Sequence, residues 1–385
     1  RNDGGQLGNN NTSNKSLPVQ VKGGASGSEY LTDVVQVTAG NWHSMALKAN
    51  GTVYAWGWGQ YGQLGNGYTT NSDDTDKYSG EKIYSAPVQV LSGAQTSETG
   101  YLKEVVQIDA MGGTGRAEKN RFGTSLAVTE SKEVYGWGNS LYGALGVKSS
   151  IVSKPVRVGT DISNAVQVAG GGKSGSDDWH VNSIGNTGYT YILKEDGTVS
   201  SLGYNVNGEL GNGAKASTTA VQKVSNLTEI MQVAGSKNGN FGAAVKEDGT
   251  VWTWGNNTNG QLGNNSTENS SSPVQVKSAD GNGYLTNIIE ISAGSDHNMA
   301  LRNDGTVWTW GSNTYGQLGN GSSVNSMLPV QVKSADGNSF LADIVQISAG
   351  YVHSMALKKD GTVLAWGRND GGQLGNNKTS NKSLP

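Results

Sequence analysis

One position of an internal repeat carries the side chains best suited to metal or proton chemistry. It lies just before an Ala-Leu core and is occupied in turn by His43, Thr124, Tyr189, Phe241, His297 and His353. Imidazole can ligate metals and titrates near neutral pH. A metal site needs several ligands that converge, however, and three of the six copies lack histidine. We therefore predict a packing position, with a shared binding rim as the alternative, and neither a metal nor a cofactor.

Other patterns that suggest catalysis have simpler structural explanations. The absence of cysteine excludes thiol catalysis and disulfides. No Gly-x-Ser-x-Gly elbow can be combined with Asp and His in chain order. The Asp-Gly pairs at Asp196, Asp248, Asp304 and Asp360 are turn signals, because no calcium-loop pattern surrounds them. We predict a protein without catalytic residues.

Two insertions in the repeat offer a better candidate for function. One replaces a short loop with residues 112–122, and the other inserts residues 171–188 at the same loop of the next repeat. Long loops on a rigid scaffold are where binding residues concentrate. The partner-binding candidates are Arg116, Lys119, Arg121, Asp177, Asp178, Trp179 and His180. A third insertion, residues 68–85, is acidic. Neutral surface variation is the alternative explanation for all three.

The composition restricts the kind of partner. The 385 residues include 58 glycines and 38 asparagines, only 15% are charged, and the net charge is −3. This balance gives no basic excess for nucleic acid. No apolar run approaches the length of a membrane span. The 10 Trp and 15 Tyr make the chain too aromatic to be disordered.

A repeated unit of about 50–56 residues organises the chain. Gly-Gln-Leu-Gly or a close variant occurs seven times, usually preceded by an aromatic-x-Trp-Gly motif. The repeats cover approximately 1–57, 58–138, 139–203, 204–255, 256–311 and 312–367, and 368–385 begins a further one. Residues 368–385 repeat residues 1–18 with one difference, Lys378 for Asn11.

Each unit predicts four short strands. In the last repeat these include Ile344–Ile347, Ser354–Lys358 and Thr362–Gly367, with Asp360-Gly361 as a two-residue type I′ hairpin turn. Pro-Val-Gln-Val, first seen at Pro18–Val21, predicts a fourth strand that a proline opens at a sheet edge. Such strands bury their faces only when sheets stack. The sequence therefore predicts one all-β domain, a β-propeller of four-stranded blades with six blade-equivalents.

The motif set resembles the repeat of the regulator of chromosome condensation 1 family. Gly350–Leu357, Asp360–Val363 and Gly372–Gly375 carry it in one stretch, and the resemblance covers essentially the whole chain. It implies a propeller of usually seven blades, in which the His43 position lies at the mouth of the central channel. With six copies here, two outcomes stay open. Either Pro18–Val21 closes the last blade, or the array stays open and self-associates through blade edges.

The resemblance implies several functions: nucleotide exchange on a small GTPase, enzyme inhibition, light sensing and bacterial surface modules. Fold alone does not choose among them. The acidic balance disfavours the chromatin-binding exchange factor. We predict a non-enzymatic scaffold for a protein or surface glycan, secreted or on a bacterial cell surface. Exchange-factor or inhibitor activity is the alternative, and a glycan-active enzyme with two facing carboxylates is a lesser one.

Overall fold

Short antiparallel strands make up nearly all the regular structure of the computed structural model, which describes residues 1–24, 29–69, 83–95, 100–112, 122–173 and 187–385. The first three sheets contain β1 Val34–Ala39, β2 His43–Lys48, β3 Val53–Trp58 and β4 Ile83–Gln89; β5 Val105–Met111, β6 Thr124–Thr129, β7 Val134–Asn139 and β8 Ile151–Arg157; and β9 Ala165–Lys173, β10 Thr187–Lys194, β11 Val199–Gly203 and β12 Thr218–Lys223. Single 3₁₀ turns occur at Gly93–Gln95 and Leu141–Gly143.

The remaining sheets repeat the same antiparallel order. They contain β13 Ile230–Gly235, β14 Phe241–Lys246, β15 Val251–Gly255 and β16 Ser270–Gln275; β17 Ile288–Ala293, β18 His297–Arg302, β19 Val307–Gly311 and β20 Ser326–Gln331; and β21 Ile344–Ala349, β22 His353–Lys358 and β23 Val363–Gly367. Within the described residues there are thus six consecutive sheets, which we call blades 1 to 6. The predicted all-β fold of propeller blades is confirmed.

The prediction of two-residue hairpin turns was wrong. In blade 6 the Gly361 N–H donates to the Lys358 carbonyl (3.0 Å) and the Lys358 N–H donates to the Thr362 carbonyl (2.8 Å). Only Gly361 of this turn has positive φ, at 86°. These features define a three-residue loop, a type I turn followed by a left-handed glycine. Asp360 stabilises it by accepting the Thr362 N–H at 2.9 Å.

The predicted fourth strands lie at the sheet edges, but proline does not open them. Pro87 lies inside β4, and Pro273 lies inside β16 where the pairing with β15 shifts register. Proline is tolerated there because edge strands and bulges leave its missing N–H unneeded. The sequence left open whether Pro18–Val21 completes the last blade. Among the described residues the sixth sheet comprises β21, β22 and β23 without Pro18–Val21, and Lys382 bridges to Gly367.

The chain forms two compact units. The first comprises Arg1–Glu195, Leu202–Tyr204 and Ser217–Val221; the second comprises Asp196–Ser201, Asn205–Ala216 and Gln222–Pro385. In the first, an apolar core runs through blades 1, 2 and 3 and includes Ile108, Trp137 and Ile192. In the second, Met299, Leu301 and Val307 of blade 5 pack with Ile344 and Ile347 of blade 6. Burial between neighbouring blades is what holds each unit together.

Candidate binding surface

The structure brings together the bases of the two predicted loop insertions. Blade 3 extends its first hairpin, so that β9 has nine residues and β10 has eight, whereas the first two strands of most blades have six. Lys173 pairs with Thr187 at the tip of the described hairpin. Described residues at both bases line one small cavity: Met111, Gly112, Phe122, Gly123, Gly171, Gly172, Lys173 and Thr187.

Glycine allows these two bases to approach closely. A Cβ atom on Gly170 of blade 3 would lie 2.8 Å from the sulfur of Met111 in blade 2. Within the blade 3 hairpin, a Cβ atom on Gly171 would lie 2.2 Å from the ring of Tyr189, its partner on the paired strand. The Gly170 N–H donates to Asp109 Oδ2 at 2.8 Å. Phe122 packs against Tyr61, with their ring centroids 4.1 Å apart. The described residues at the bases of both insertions are therefore tightly packed.

The seven partner-binding candidates themselves lie outside the described residues. Arg116, Lys119 and Arg121 fall in 113–121, and Asp177, Asp178, Trp179 and His180 fall in 174–186. Their role stays a prediction. Residues 70–82, which contain the acidic cluster of the third insertion, also lie outside the described part.

The histidine position is mostly an interior one. His43, Thr124, Tyr189, Phe241 and His297 are at most 4% exposed, and His353 is partly buried. His43 Nε2 lies 2.9 Å from Ser125 Oγ, and His297 Nε2 lies 3.1 Å from Ser354 Oγ. A Cβ on Gly294 would lie 2.2 Å from the His297 ring, which explains the Gly-x-x-His spacing. This burial supports packing and leaves little surface for the binding-rim alternative.

Burial also fixes the charge state of His297. Loss of hydration on burial, together with a smaller effect of the neighbouring His353, lowers the pKa of His297 to about 3. A neutral imidazole at physiological pH suits a structural hydrogen bond. The Asp, Glu and His side chains of the described residues form no group of three that could hold a metal ion.

The recurrent tryptophans bond to the neighbouring repeat. Trp310 Nε1 donates to the Gln261 carbonyl at 2.9 Å, and Asn298 Nδ2 donates to the same oxygen at 2.8 Å. Trp366 and Ser354 make the equivalent pair of bonds to the Gln317 carbonyl. The last glycine of Gly-Gln-Leu-Gly makes room for the indole, because a Cβ on Gly263 would lie 2.8 Å from Trp310 Nε1.

Glutamines that recur at one position of the repeat also join neighbouring blades. Gln36 Nε2 donates to the Ile108 carbonyl at 3.0 Å, and the Ile108 N–H donates back to Gln36 Oε1 at 2.9 Å. In blade 5 this position is Glu290, which sequence analysis missed although the repeat alignment reveals it. Burial raises the pKa of Glu290 to about 7, and its carboxyl accepts the Ile347 N–H at 3.3 Å.

A second residue type that sequence reasoning missed is the asparagine after Trp-Gly. Asn257 is fully buried and its Oδ1 accepts the Leu262 N–H at 2.8 Å. Its Nδ2 donates to the carbonyls of Ser266 and Glu268 at 2.9 and 3.0 Å. Asn313 and Asn369 repeat this pattern. Much of the high asparagine content near these motifs therefore organises loops.

A family model described as the regulator of chromosome condensation (RCC1) repeat matches residues 1–47, 50–110, 132–174, 248–301 and 304–357. The Arabidopsis thaliana ultraviolet-B receptor UVR8 is 28% identical over 389 residues, which cover 100% of this chain and 75% of the receptor. The Homo sapiens E3 ubiquitin-protein ligase HERC2 is 27% identical over 90% of this chain, but the chain spans only 6% of that protein.

Solved structures support the same fold. Human WBSCR16 aligns with a TM-score of 0.67 and 22% identity, covering 93% of this chain and 82% of that one. Yeast RCC1 (Prp20), in a structure with Kap60, aligns with a TM-score of 0.68 and 21% identity, covering 91% of this chain and 74% of that one.

In the part of the chain that the structure describes, no helix has the length and apolar character that a membrane span needs.

Proposed function

Because this chain belongs to the RCC1 repeat family, we propose that it is a non-catalytic propeller that binds a protein partner. The binding surface consists of residues 113–121 and 174–186, the two insertions of blades 2 and 3. The observation that carries this proposal is the shared, glycine-lined base from which both insertions depart. A solved relative, yeast Prp20, binds other proteins. It has been solved in complex with Kap60, and it binds Gsp1p and histones.

The chemistry of the insertions suits protein recognition. They combine three cations, three carboxylates, a tryptophan and a histidine. Tryptophan and arginine dominate the energetically important positions of protein interfaces. Nucleotide exchange or enzyme inhibition would use the same kind of contact. A secreted or surface-exposed bacterial protein is the setting we propose, on the basis of its Asn, Thr, Ser and Gly content and its lack of cysteine.

Loop exchange tests the proposal. A partner is first captured from the source cells, and its affinity is then measured by calorimetry. Replacing residues 171–188 with the equivalent short loop of blade 4, residues 236–240, should leave the unfolding midpoint nearly unchanged and abolish binding. Val324→Ala, which truncates a side chain that is 72% exposed elsewhere, is the control. Unchanged affinity in the loop-exchange variant would refute the assignment.

Self-association is a second candidate, supported by two apolar blade faces. Val34 and Val37 are 37% and 69% exposed, whereas their equivalents Ile344 and Ile347 are both 4% exposed. On blade 6, Val363 is 58% exposed, whereas its equivalent Val307 is fully buried. Between blades 5 and 6 the corresponding faces pack against each other, with Val307 of blade 5 in one core cluster with Ile344 and Ile347 of blade 6. We propose that the Val34 face of one copy packs on the Val363 face of a second copy.

A further inference from the structure

Four aromatic side chains are exposed at one repeat position. Tyr30, Tyr101, Tyr284 and Phe340 are 46%, 48%, 50% and 57% exposed, and each directly precedes a leucine. The leucines that follow the last three, Leu102, Leu285 and Leu341, are at most 5% exposed. Each aromatic residue forms an isolated β-bridge, to Lys22, Leu91, Lys277 and Lys333 respectively.

Two of the loops that present these rings, residues 277–284 and 333–340, lie wholly within the described residues and leave the blade only briefly. The Leu285 N–H donates to the Val276 carbonyl at 3.0 Å, which brings together the two ends of loop 277–284. The Leu341 N–H does the same with the Val332 carbonyl at 2.9 Å, so loop 333–340 has the same construction. The two loops read Lys-Ser-Ala-Asp-Gly-Asn-Gly-Tyr and Lys-Ser-Ala-Asp-Gly-Asn-Ser-Phe.

The fold does not require these loops. Between blades 3 and 4, only two residues separate the buried Val224 from the buried Leu227. Between blades 2 and 3, Ile162 is 6% exposed and follows Val158 after three residues. The core position is therefore filled equally well without the loop. An aromatic ring that is half exposed at the same position of several repeats is available for contact with a molecule outside the chain.

Each loop holds its ring among fixed polar groups. The Ser278 hydroxyl donates to Asp280 Oδ1 at 2.5 Å, and the Asn282 N–H donates to the same oxygen at 3.1 Å. Lys277 Nζ lies 4.6 Å from the centroid of the Tyr284 ring. Lys22 and Tyr30 repeat the arrangement at 4.4 Å. A rigid loop loses little conformational entropy on binding, which favours a preformed site.

We propose that these loops bind a polysaccharide, with the rings of Tyr284 and Phe340 stacking on the apolar C–H faces of sugar rings. The hydroxyl groups of a sugar match the amide of Asn282 and the amine of Lys277, which lie in the same loop as the ring. Near-identical sites on successive repeats suit a ligand that itself repeats, because several weak contacts then act together. None of these residues belongs to the two loop insertions, so the inference does not rest on the proposed protein-binding function.

Affinity electrophoresis tests the proposal on the full chain. The probes are xylan, mixed-linkage β-glucan and glycol chitin, each cast into a native gel. At least one should retard the protein, and the double variant Tyr284→Ala/Phe340→Ala should weaken that binding about tenfold, since each ring supplies a several-fold gain. Tyr284→Phe should bind as the wild type does, because it keeps the ring. Met231→Ala removes a side chain that is 48% exposed elsewhere and should change nothing.

Replacing residues 277–284 with Ser225-Asn226, the short connection of the preceding blades, gives a second test. This variant should fold, because the chain itself uses Ser225-Asn226 to join blades 3 and 4. Its affinity for polysaccharide should fall as far as that of a single Tyr284→Ala variant, because both lack the Tyr284 ring. Wild-type mobility that none of the three polysaccharides changes would overturn the proposal. So would a double variant retarded as strongly as the wild type. Loss of captured protein partner in the double variant, with its retardation by polysaccharide intact, would assign the loops to a protein instead.

Discussion

At the scale of the residue, a single substitution shows how this repeat joins its blades. In blades 1 and 2 a glutamine amide both donates to and accepts from the next blade's backbone, Gln36 with Ile108 and Gln107 with Val168. Glu290 can accept the Ile347 N–H, but when ionised it has no proton to donate to a carbonyl. Its partly buried position favours the protonated form, which resembles the amide.

This gives a pH-dependent prediction for Glu290. Its pKa is about 7 in the folded protein against 4.5 for the free group. The folded state therefore binds the proton more tightly than the unfolded state does. The stability that protonated Glu290 contributes is fully present below about pH 4.5 and is lost as the pH rises through about 7. Glu290→Gln should raise the free energy of unfolding at pH 8 by roughly 1–3 kcal/mol, and by much less at pH 5.

Urea denaturation at both pH values measures the difference. Glu247→Gln, at an exposed position of blade 4, is the matched control and should behave alike at pH 5 and pH 8. An equal effect of Glu290→Gln at the two pH values would show that ionisation of this carboxyl does not matter to the fold.

At the scale of the element, blade-to-blade packing depends on the tryptophan of the third strand. Trp310 is fully buried and bonds to the Gln261 carbonyl. In blade 3 the same position is Leu202, which cannot donate a hydrogen bond. There Thr190 Oγ1 alone makes the equivalent bond, to the Ala144 carbonyl at 2.7 Å. We therefore expect the packing of blade 3 on blade 2 to be less stable than the blade-to-blade contacts in which this position is tryptophan.

Trp310→Ala should cost about 3–5 kcal/mol of unfolding free energy, the usual range for deleting a buried aromatic side chain. Trp308→Ala, two residues earlier on the same strand, removes the same volume from a partly buried position and should cost less. Chemical denaturation compares the two variants. An unchanged midpoint for Trp310→Ala would contradict the role of the indole in packing.

At the scale of the whole molecule, the two exposed blade faces predict association that depends on concentration. Light scattering should show the mean mass growing with protein concentration, because apolar faces of this kind are buried between blades elsewhere in the chain. Val34→Glu/Val37→Glu should suppress the growth by placing unpaired charges in the contact. Val35→Glu is the control, since Val35 is 64% exposed and its equivalent Val345 is 51% exposed. A wild-type mass independent of concentration would refute self-association.

The sequence by itself determined the fold and most of the structural roles. Periodic motifs predicted the strands and blades, because every repeat must bury the same apolar positions against its neighbour. The three-residue turn at Asp360 and Gly361 escaped prediction, since an Asp-Gly pair fits two hairpin geometries that differ in loop length and in which residues have positive φ.

Only the tertiary structure decided what depends on distant residues coming together. It showed that the loops at 112–122 and 171–188, some sixty residues apart in the chain, share one base, and that His297 lies buried beside Ser354. It also separated the exposed Tyr284 ring from the buried Leu285 that follows it, although both are large hydrophobic residues in sequence. Burial is a property of the packed neighbours of a residue, and a single repeat does not contain those neighbours.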